Sequence, residues 1–170
     1  SIGDLTYLAG INLRINKTLS GPIPDNIGKL TKLKVINFFD NQLSGPIPDG
    51  IYKLTNLTVL ILWKNLLEGN ISSSISRLIN LEHLDLSGNN FSGVAPLSMV
   101  QLTKLKYVDL NPINCVQNTT ALVSWFKNIA NKGASVLCPV PTATPATGLA
   151  RGGSGPVGSS STSGPVSQLA

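Results

Sequence analysis

Asn41-Gln42-Leu43-Ser44-Gly45-Pro46-Ile47-Pro48 is the stretch on which the fold turns. Its Gly-Pro-Ile-Pro end occurs once before, at Gly21-Pro22-Ile23-Pro24. It returns in altered form as Gly69-Asn70-Ile71-Ser72 and Gly93-Val94-Ala95-Pro96, each copy 24 residues after the last. A fixed period of this length marks a repeat architecture. Counting back from each glycine yields the same ladder: Leu30, Leu33, Ile36, Phe38, Asn41, Leu43; then Leu54, Leu57, Leu60, Leu62, Asn65, Leu67; then Leu78, Leu81, Leu84, Leu86, Asn89, Phe91. A first copy (Leu5, Leu8, Ile11, Leu13, Asn16, Leu19) takes one extra residue between Asn16 and Leu19. A half copy (Leu102, Leu105, Val108, Leu110) stops at Pro112.

Stacking explains the pattern. Segments such as Leu60-Ile61-Leu62 alternate between inside and outside as a strand does, and successive coils stack as parallel strands about 4.8 Å apart. The apolar columns then fuse into one core. Asn16, Asn41, Asn65 and Asn89 fall where the chain turns inward after each strand, and an amide there can both donate to and accept from backbone groups that the turn leaves unpaired. They are expected to form a buried ladder. Gly21, Gly45, Gly69 and Gly93 permit a turn that a side chain would obstruct, and the prolines after two of them prevent a regular α-helix on the outer side. The expected fold is a right-handed solenoid with parallel strands on its concave face and extended or 3₁₀ structure on its convex face.

Composition narrows the function. Of the 170 residues only 12% are charged, about half the roughly 25% usual in soluble domains. One His, two Cys and one Met argue against metal clusters, disulfide frameworks and most His-based catalysis. The net charge of +5 is spread along the chain, so nucleic acid is not an expected partner. No apolar run approaches the roughly 18 residues of a membrane span, so any membrane attachment would come through a segment outside this chain. Ser1 has neither Met nor a signal peptide before it, which points to a processed or truncated piece.

With Asn-x-Leu-Ser-Gly-Pro-Ile-Pro set in a 24-residue period, residues 1–114 resemble the plant-type leucine-rich repeat of receptor-like kinase ectodomains, receptor-like proteins and polygalacturonase inhibitors. The resemblance implies an extracellular, non-enzymatic recognition surface with no cofactor and no metal. The family's N-terminal cap with its paired cysteines is missing, so residues preceding Ser1 are expected to be absent. At the other end Leu122, Trp125, Phe126 and Ile129 have the spacing of an amphipathic helix of about three turns, able to cover the last coil. Cys115 and Cys138 bracket it. In a repeat protein of this kind the expectation is one disulfide, contributing about 3 kcal/mol. Free thiols and a metal site are the rival readings, and the single His83 cannot complete a zinc tetrahedron. Residues 115–138 are thus read as a C-terminal cap, and residues 139–170, rich in Pro, Ser, Thr and Gly, as a disordered stalk or linker. Sequons begin at Asn16, Asn56, Asn70, Asn90 and Asn118. Asn16 is expected to be buried in the ladder, leaving Asn56, Asn70, Asn90 and Asn118 as glycosylation acceptors at the rim and outer side.

The ligand surface is read from the residues that point outward from the concave strands. These are Gly10, Asn12, Arg14; Val35, Asn37, Phe39; Val59, Ile61, Trp63; His83, Asp85, Ser87; and Tyr107, Asp109, Asn111. A solvated sheet face would be polar throughout. Instead Val35, Phe39, Val59, Ile61 and Trp63, with Leu66 just past the strand, are expected to form one apolar patch with Phe39 beside Trp63. Next to it lies a polar strip, with Asp85 and Asp109 in one column and His83 beside Tyr107. His83, Asp85 and Ser87 contain the elements of a hydrolytic triad, but on one strand the first and last would lie roughly 13 Å apart, too far for a base to touch its nucleophile. Lys29, Lys53 and Arg77, also 24 apart, form a basic column. Two readings follow: a receptor-like ectodomain binding a peptide or protein on its concave face, and a secreted or wall-associated inhibitor of a wall-degrading enzyme or binder of cell-wall polysaccharide.

Overall fold

A computed structural model describes residues 5, 7–110, 120–129 and 131–132, the last pair through their backbone only. The chain winds through β1 (Gly10–Asn12), β2 (Ser20–Pro22), β3 (Val35–Asn37), β4 (Gln42–Gly45), β5 (Val59–Ile61), β6 (Leu66–Asn70), β7 (His83–Asp85), β8 (Asn90–Ser92) and β9 (Tyr107–Asp109). It then continues into α1 (Thr120–Asn128) and β10 (Asn131–Lys132). All pairings are parallel. The odd-numbered strands and β10 build a six-stranded sheet in the order β1-β3-β5-β7-β9-β10, the concave sheet of the sequence reading, and β2-β4-β6-β8 build a second. Short 3₁₀ turns at Asp25–Lys29, Ile51–Lys53, Ser73–Arg77 and Leu97–Gln101 complete the coils on the outer side. The leucine-rich repeat solenoid is therefore the fold.

The register of the concave sheet follows the sequence period. Val35 pairs with Val59, Val59 with His83 and His83 with Tyr107. Gly10 pairs with Val35, a step of 25 that absorbs the extra residue of the first copy. Inward-facing Ile36, Leu60, Leu84 and Val108 are each at 0% exposure, as are Leu33, Leu57 and Leu81. At roughly 1.5–3 kcal/mol per fully buried aliphatic side chain, these columns supply the main force holding coil to coil. Each repeated glycine turns with positive φ; Gly45, at +74°, occupies a conformation that a side chain would disfavour.

The asparagine ladder runs in one direction. Asn65 Nδ2 donates to the Phe38 carbonyl of the preceding coil at 2.8 Å and to its own Leu62 carbonyl at 3.0 Å, while its Oδ1 accepts from Leu43 N–H at 3.0 Å. Asn89 repeats the arrangement on Leu62, Leu86 and Leu67 N–H. Asn41 donates back to Leu13 at 2.8 Å. Asn16 departs from expectation. It is exposed, and its Oδ1 turns to Thr18 instead, 2.7 Å from that hydroxyl. The reason is the direction of the ladder: each amide reaches one coil back, and among the described residues no coil lies behind Asn16. Leu13 (41% exposed) and Leu5 (56%) leave the core for the same reason, although the column-mates of the first, Leu62 and Leu86, and of the second, Leu30, Leu54 and Leu78, are fully buried.

At the far end α1 packs against the last coil with Leu122 and Phe126 buried, Ile129 buried just beyond its end and Trp125 partly buried against the core. The helix, expected at about three turns, has 9 residues. β10 then adds to the concave sheet, Asn131 opposite Tyr107; two polar residues carry no alternation by which this strand could be read. Cys115 and Cys138, the start of the cap, and the stalk expected over 139–170 lie outside the described residues.

Tyr52 is the largest fully buried side chain, 1% exposed, and its hydroxyl has no hydrogen-bond partner among the described residues; the Ser72 backbone lies close but not in bonding geometry. Burial pushes the phenol up to about 12, with the nearby Asp49 carboxylate adding to it. Below pH 10 the group is neutral in both folded and unfolded chains, so stability is unaffected there. Between about pH 10 and 12 only the unfolded chain ionises, and stability falls by about 2–3 kcal/mol. Urea titrations across this range should show a steeper loss in the wild type than in Tyr52→Phe, and parallel curves would refute the assignment.

Candidate functional site

The concave sheet presents three rows. The first carries Gly10, Val35, Val59, His83 and Tyr107, and the second Asn12, Asn37, Ile61, Asp85 and Asp109, all in register. Phe39 and Trp63 stand in the third row, two residues past the ends of β3 and β5. Because parallel strands place residues 24 apart side by side, their rings stack face to face, with centroids 4.5 Å apart and planes within 8°. Trp63 remains 42% exposed and Phe39, Val35, Val59 and Ile61 are half-buried, so an apolar patch faces solvent. Stacked aromatic pairs contribute about 0.5–1.5 kcal/mol beyond their burial, so the indole is held in place before any ligand arrives.

Gly88 and Ser87 shape what lies beyond Trp63. The residue before each ladder asparagine is left-handed: Ile15, Asp40 and Lys64 have φ of 57°, 54° and 58°, and Gly88 has 61°. A Cβ at Gly88 would sit 3.1 Å from Trp63 Cδ1 and 3.2 Å from Nε1, so the glycine gives the indole its seat. One coil earlier, Lys64 Nζ reaches Asp40 Oδ1 at 3.1 Å beside the Phe39–Trp63 stack. Ser87, read from sequence as outward-facing, is buried at 8% exposure. Its Oγ donates to Asp85 Oδ1 at 2.6 Å and its N–H to the same oxygen at 3.1 Å, which folds the side chain down.

Asp85 and Asp109 are neighbours in register, and His83 stacks on Tyr107 with centroids 5.8 Å apart. Trp63, Asp85, Ser87, Gly88, Tyr107 and Asp109 line a hollow of about 390 Å³. Burial raises the Asp85 carboxyl above its ordinary range, the Ser87 bonds oppose this, and the Asp109 charge adds to it. Tyr107 is raised by burial and by both carboxylates. The Ser87 hydroxyl is committed to Asp85 while the His83 ring lies against Tyr107, so these side chains are not arranged as nucleophile and base. Among the described residues no group of three or more His, Cys, Asp or Glu could hold a metal ion.

The remaining site residues fall elsewhere. Leu66, expected to extend the patch, opens β6 on the second sheet, 51% exposed, because the turn at Asn65 has already redirected the chain. Lys29, Lys53 and Arg77 sit in the last turns of the outer 3₁₀ segments, and Lys53 lies 3.9 Å from Asp25. Asn56, Asn70 and Asn90 are exposed, as is Asn16, which was expected to be inaccessible; Asn111 and Asn118 lie outside the described residues. The seat at Gly88 was missed by sequence reading, although one signal existed: glycine replaces the bulkier Ile15, Asp40 and Lys64 of its column.

Comparison with known proteins fits this architecture. Leucine rich repeat family models match residues 32–54 and 55–112. The solved structure of Pollen Receptor Kinase 3 is 33% identical, covers 84% of this chain and 69% of that chain, and superposes with a TM-score of 0.68. This chain belongs to the plant-type leucine-rich repeat family. The leucine-rich repeat ectodomain of the receptor kinase SOBIR1 from Arabidopsis thaliana is 31% identical, covering 72% of this chain and 66% of that one, with a TM-score of 0.65. The plant peptide hormone receptor RGFR1, solved in complex with RGF2, is 33% identical over 68% of this leucine-rich repeat chain, at a TM-score of 0.65. The repeats described here span only 18% of that receptor's length. No curated protein matches the chain.

Proposed function

We propose that this leucine-rich repeat chain is a non-enzymatic, extracellular, receptor-like recognition module that binds a peptide, or an exposed peptide segment of a protein, along its concave sheet. The observation that carries the reading is the Phe39–Trp63 stack, an ordered aromatic pair within an apolar patch that faces solvent on the concave sheet. Tryptophan is among the residues most enriched in binding hot spots, and an indole already locked by its neighbours costs little entropy on binding. The receptor kinase ectodomains to which the chain is similar, one of them solved with a peptide hormone, support the class of ligand and the extracellular setting.

The test is selection from a random-peptide display library on the immobilised full chain. Retained peptides are expected to bind Trp63→Ala about 30-fold more weakly, the loss of a hot spot of about 2 kcal/mol. The thermal midpoint should stay near that of the wild type, because the ring lies outside the core. Undiminished binding by a folded Trp63→Ala chain would overturn the proposal, as would a wild-type chain that retains no peptide.

A further inference from the structure

The hollow beyond Trp63 specifies the ligand further, in an inference that rests on the concave-face reading. Four side chains decide its chemistry. Asp85 and Asp109 lie side by side in register, and Trp63 and Tyr107 stand over the same space. Ser87 directs both of its hydrogen bonds to Asp85 Oδ1, which leaves Asp85 Oδ2 without a hydrogen-bond partner among the described residues. The indole stacks on Phe39 within 8° of parallel, so its other face looks towards the coil of Gly88, where the absence of a side chain keeps the hollow open.

Each alternative occupant meets a physical objection. An anion would be repelled by two adjacent carboxylates. An apolar group would desolvate both carboxylates without supplying a counter-charge. A metal ion has too few ligands among the described residues. An organic cation meets none of these objections. It relieves the mutual repulsion of the two aspartates, and an aromatic face adds a cation–π contact. Between the two basic side chains, the planar guanidinium both stacks on an indole and presents a fork of donors to carboxylate oxygens, whereas an ammonium is a compact, strongly hydrated point charge.

We propose that the hollow lined by Trp63, Asp85, Tyr107 and Asp109 receives a basic side chain of the bound peptide, arginine in preference to lysine. The raised Asp85 carboxyl agrees with this, since burial and Asp109 make the unliganded carboxylate uncomfortable and an arriving cation reverses that effect. Two cations among the described residues are committed elsewhere. Lys64 is paired with Asp40, and Lys106 lies 2.6 Å from Glu82. The preference also runs against the chain's net charge of +5, and the local strip prevails because charges beyond about 8 Å are screened at physiological salt.

The same immobilised full chain and random-peptide display library provide the test, now read for residue composition. Peptides retained by the wild type should be enriched in arginine, and less so in lysine. Asp109→Asn, which leaves the Asp85–Ser87 bonds intact, and Asp85→Asn/Asp109→Asn should both abolish the enrichment and weaken the arginine-containing peptides about tenfold, as expected for losing a charge-assisted contact. Circular dichroism melts confirm that each variant folds, and Asp109→Asn suffices if the double variant does not. A wild-type pool without arginine enrichment, or the same enrichment on Asp109→Asn, would overturn the proposal. Either result is distinct from failure of the concave-face reading, which shows as binding unaffected by Trp63→Ala.

Discussion

Asn65→Ala is expected to lower the free energy of unfolding by about 4 kcal/mol, a large share of the roughly 5–15 kcal/mol typical of a folded domain. The side chain is buried, 5% exposed, and serves Leu43 N–H and the carbonyls of Phe38, Leu62 and Trp63 at 2.8 to 3.3 Å. Alanine removes all of these at once and lets no water in to replace them. The Leu43 N–H is then left buried and unsatisfied, at about 1–3 kcal/mol, while the carbonyls of Phe38, Leu62 and Trp63 keep second donors in Asn41, Asn89 and the Asp40 N–H, so that each bond lost there costs about 0.5–1 kcal/mol. The companion variant makes the argument specific. Asn16→Ala occupies the equivalent sequence position, yet Asn16 is exposed and, among the described residues, its side-chain oxygen bonds only to Thr18. That variant should change stability by no more than about 0.5 kcal/mol. The measurement is the shift in urea midpoint at constant slope, and equal shifts would show that the amides do not act as a coil-to-coil ladder.

Gly50→Ala should cost about 3 kcal/mol or more. A Cβ at Gly50 would lie 2.1 Å from the Asp25 carbonyl oxygen and 3.0 Å from Asp25 Oδ1, and the Gly50 N–H already donates to that Oδ1 at 2.6 Å. The obstacle is backbone, so no rotamer change relieves it, and the two outer turns must move apart along a face where Gly28 also closes on Gly50. Conformation is not the cause: Gly50 has φ of −55°, a value alanine adopts readily. Gly21→Ala offers the opposite case, with φ of +84° and nothing within 4 Å of the added carbon. It should cost only the roughly 1–2 kcal/mol of a left-handed non-glycine residue. Thermal unfolding of the two variants separates steric from conformational cost, and a Gly50→Ala chain as stable as Gly21→Ala would mean that the outer turns pack loosely.

Which features could be read from the sequence follows from how each one arises. Phe39 beside Trp63, His83 beside Tyr107 and Asp85 beside Asp109 needed only subtraction, because in-register parallel strands turn a spacing of 24 into adjacency. The leucine columns were legible for the same reason. What escaped depends on contacts that no period encodes. Asn16 and Leu13 match their columns by type, but burial requires a coil on the other side. Ser87 is at an outward position and is pulled inward by a carboxylate two residues away. Leu66 follows a left-handed residue and the ladder asparagine, and together they carry it to another sheet. The approach of Gly50 to Asp25 is a backbone contact between two outer turns, which the spacing of apolar residues does not encode.

The one-way reach of the asparagine amides bears on how such a molecule can be lengthened over evolutionary time. Each coil completes the polar groups of the coil before it and has its own completed by the coil after it. A duplicated 24-residue unit inserted between Asn41 and Asn65 would therefore bring its own amide, satisfy its predecessor and be satisfied by its successor without a compensating mutation in either. Gene duplication can thus extend the array without passing through a broken intermediate, while the outward-facing rows change independently to meet new ligands.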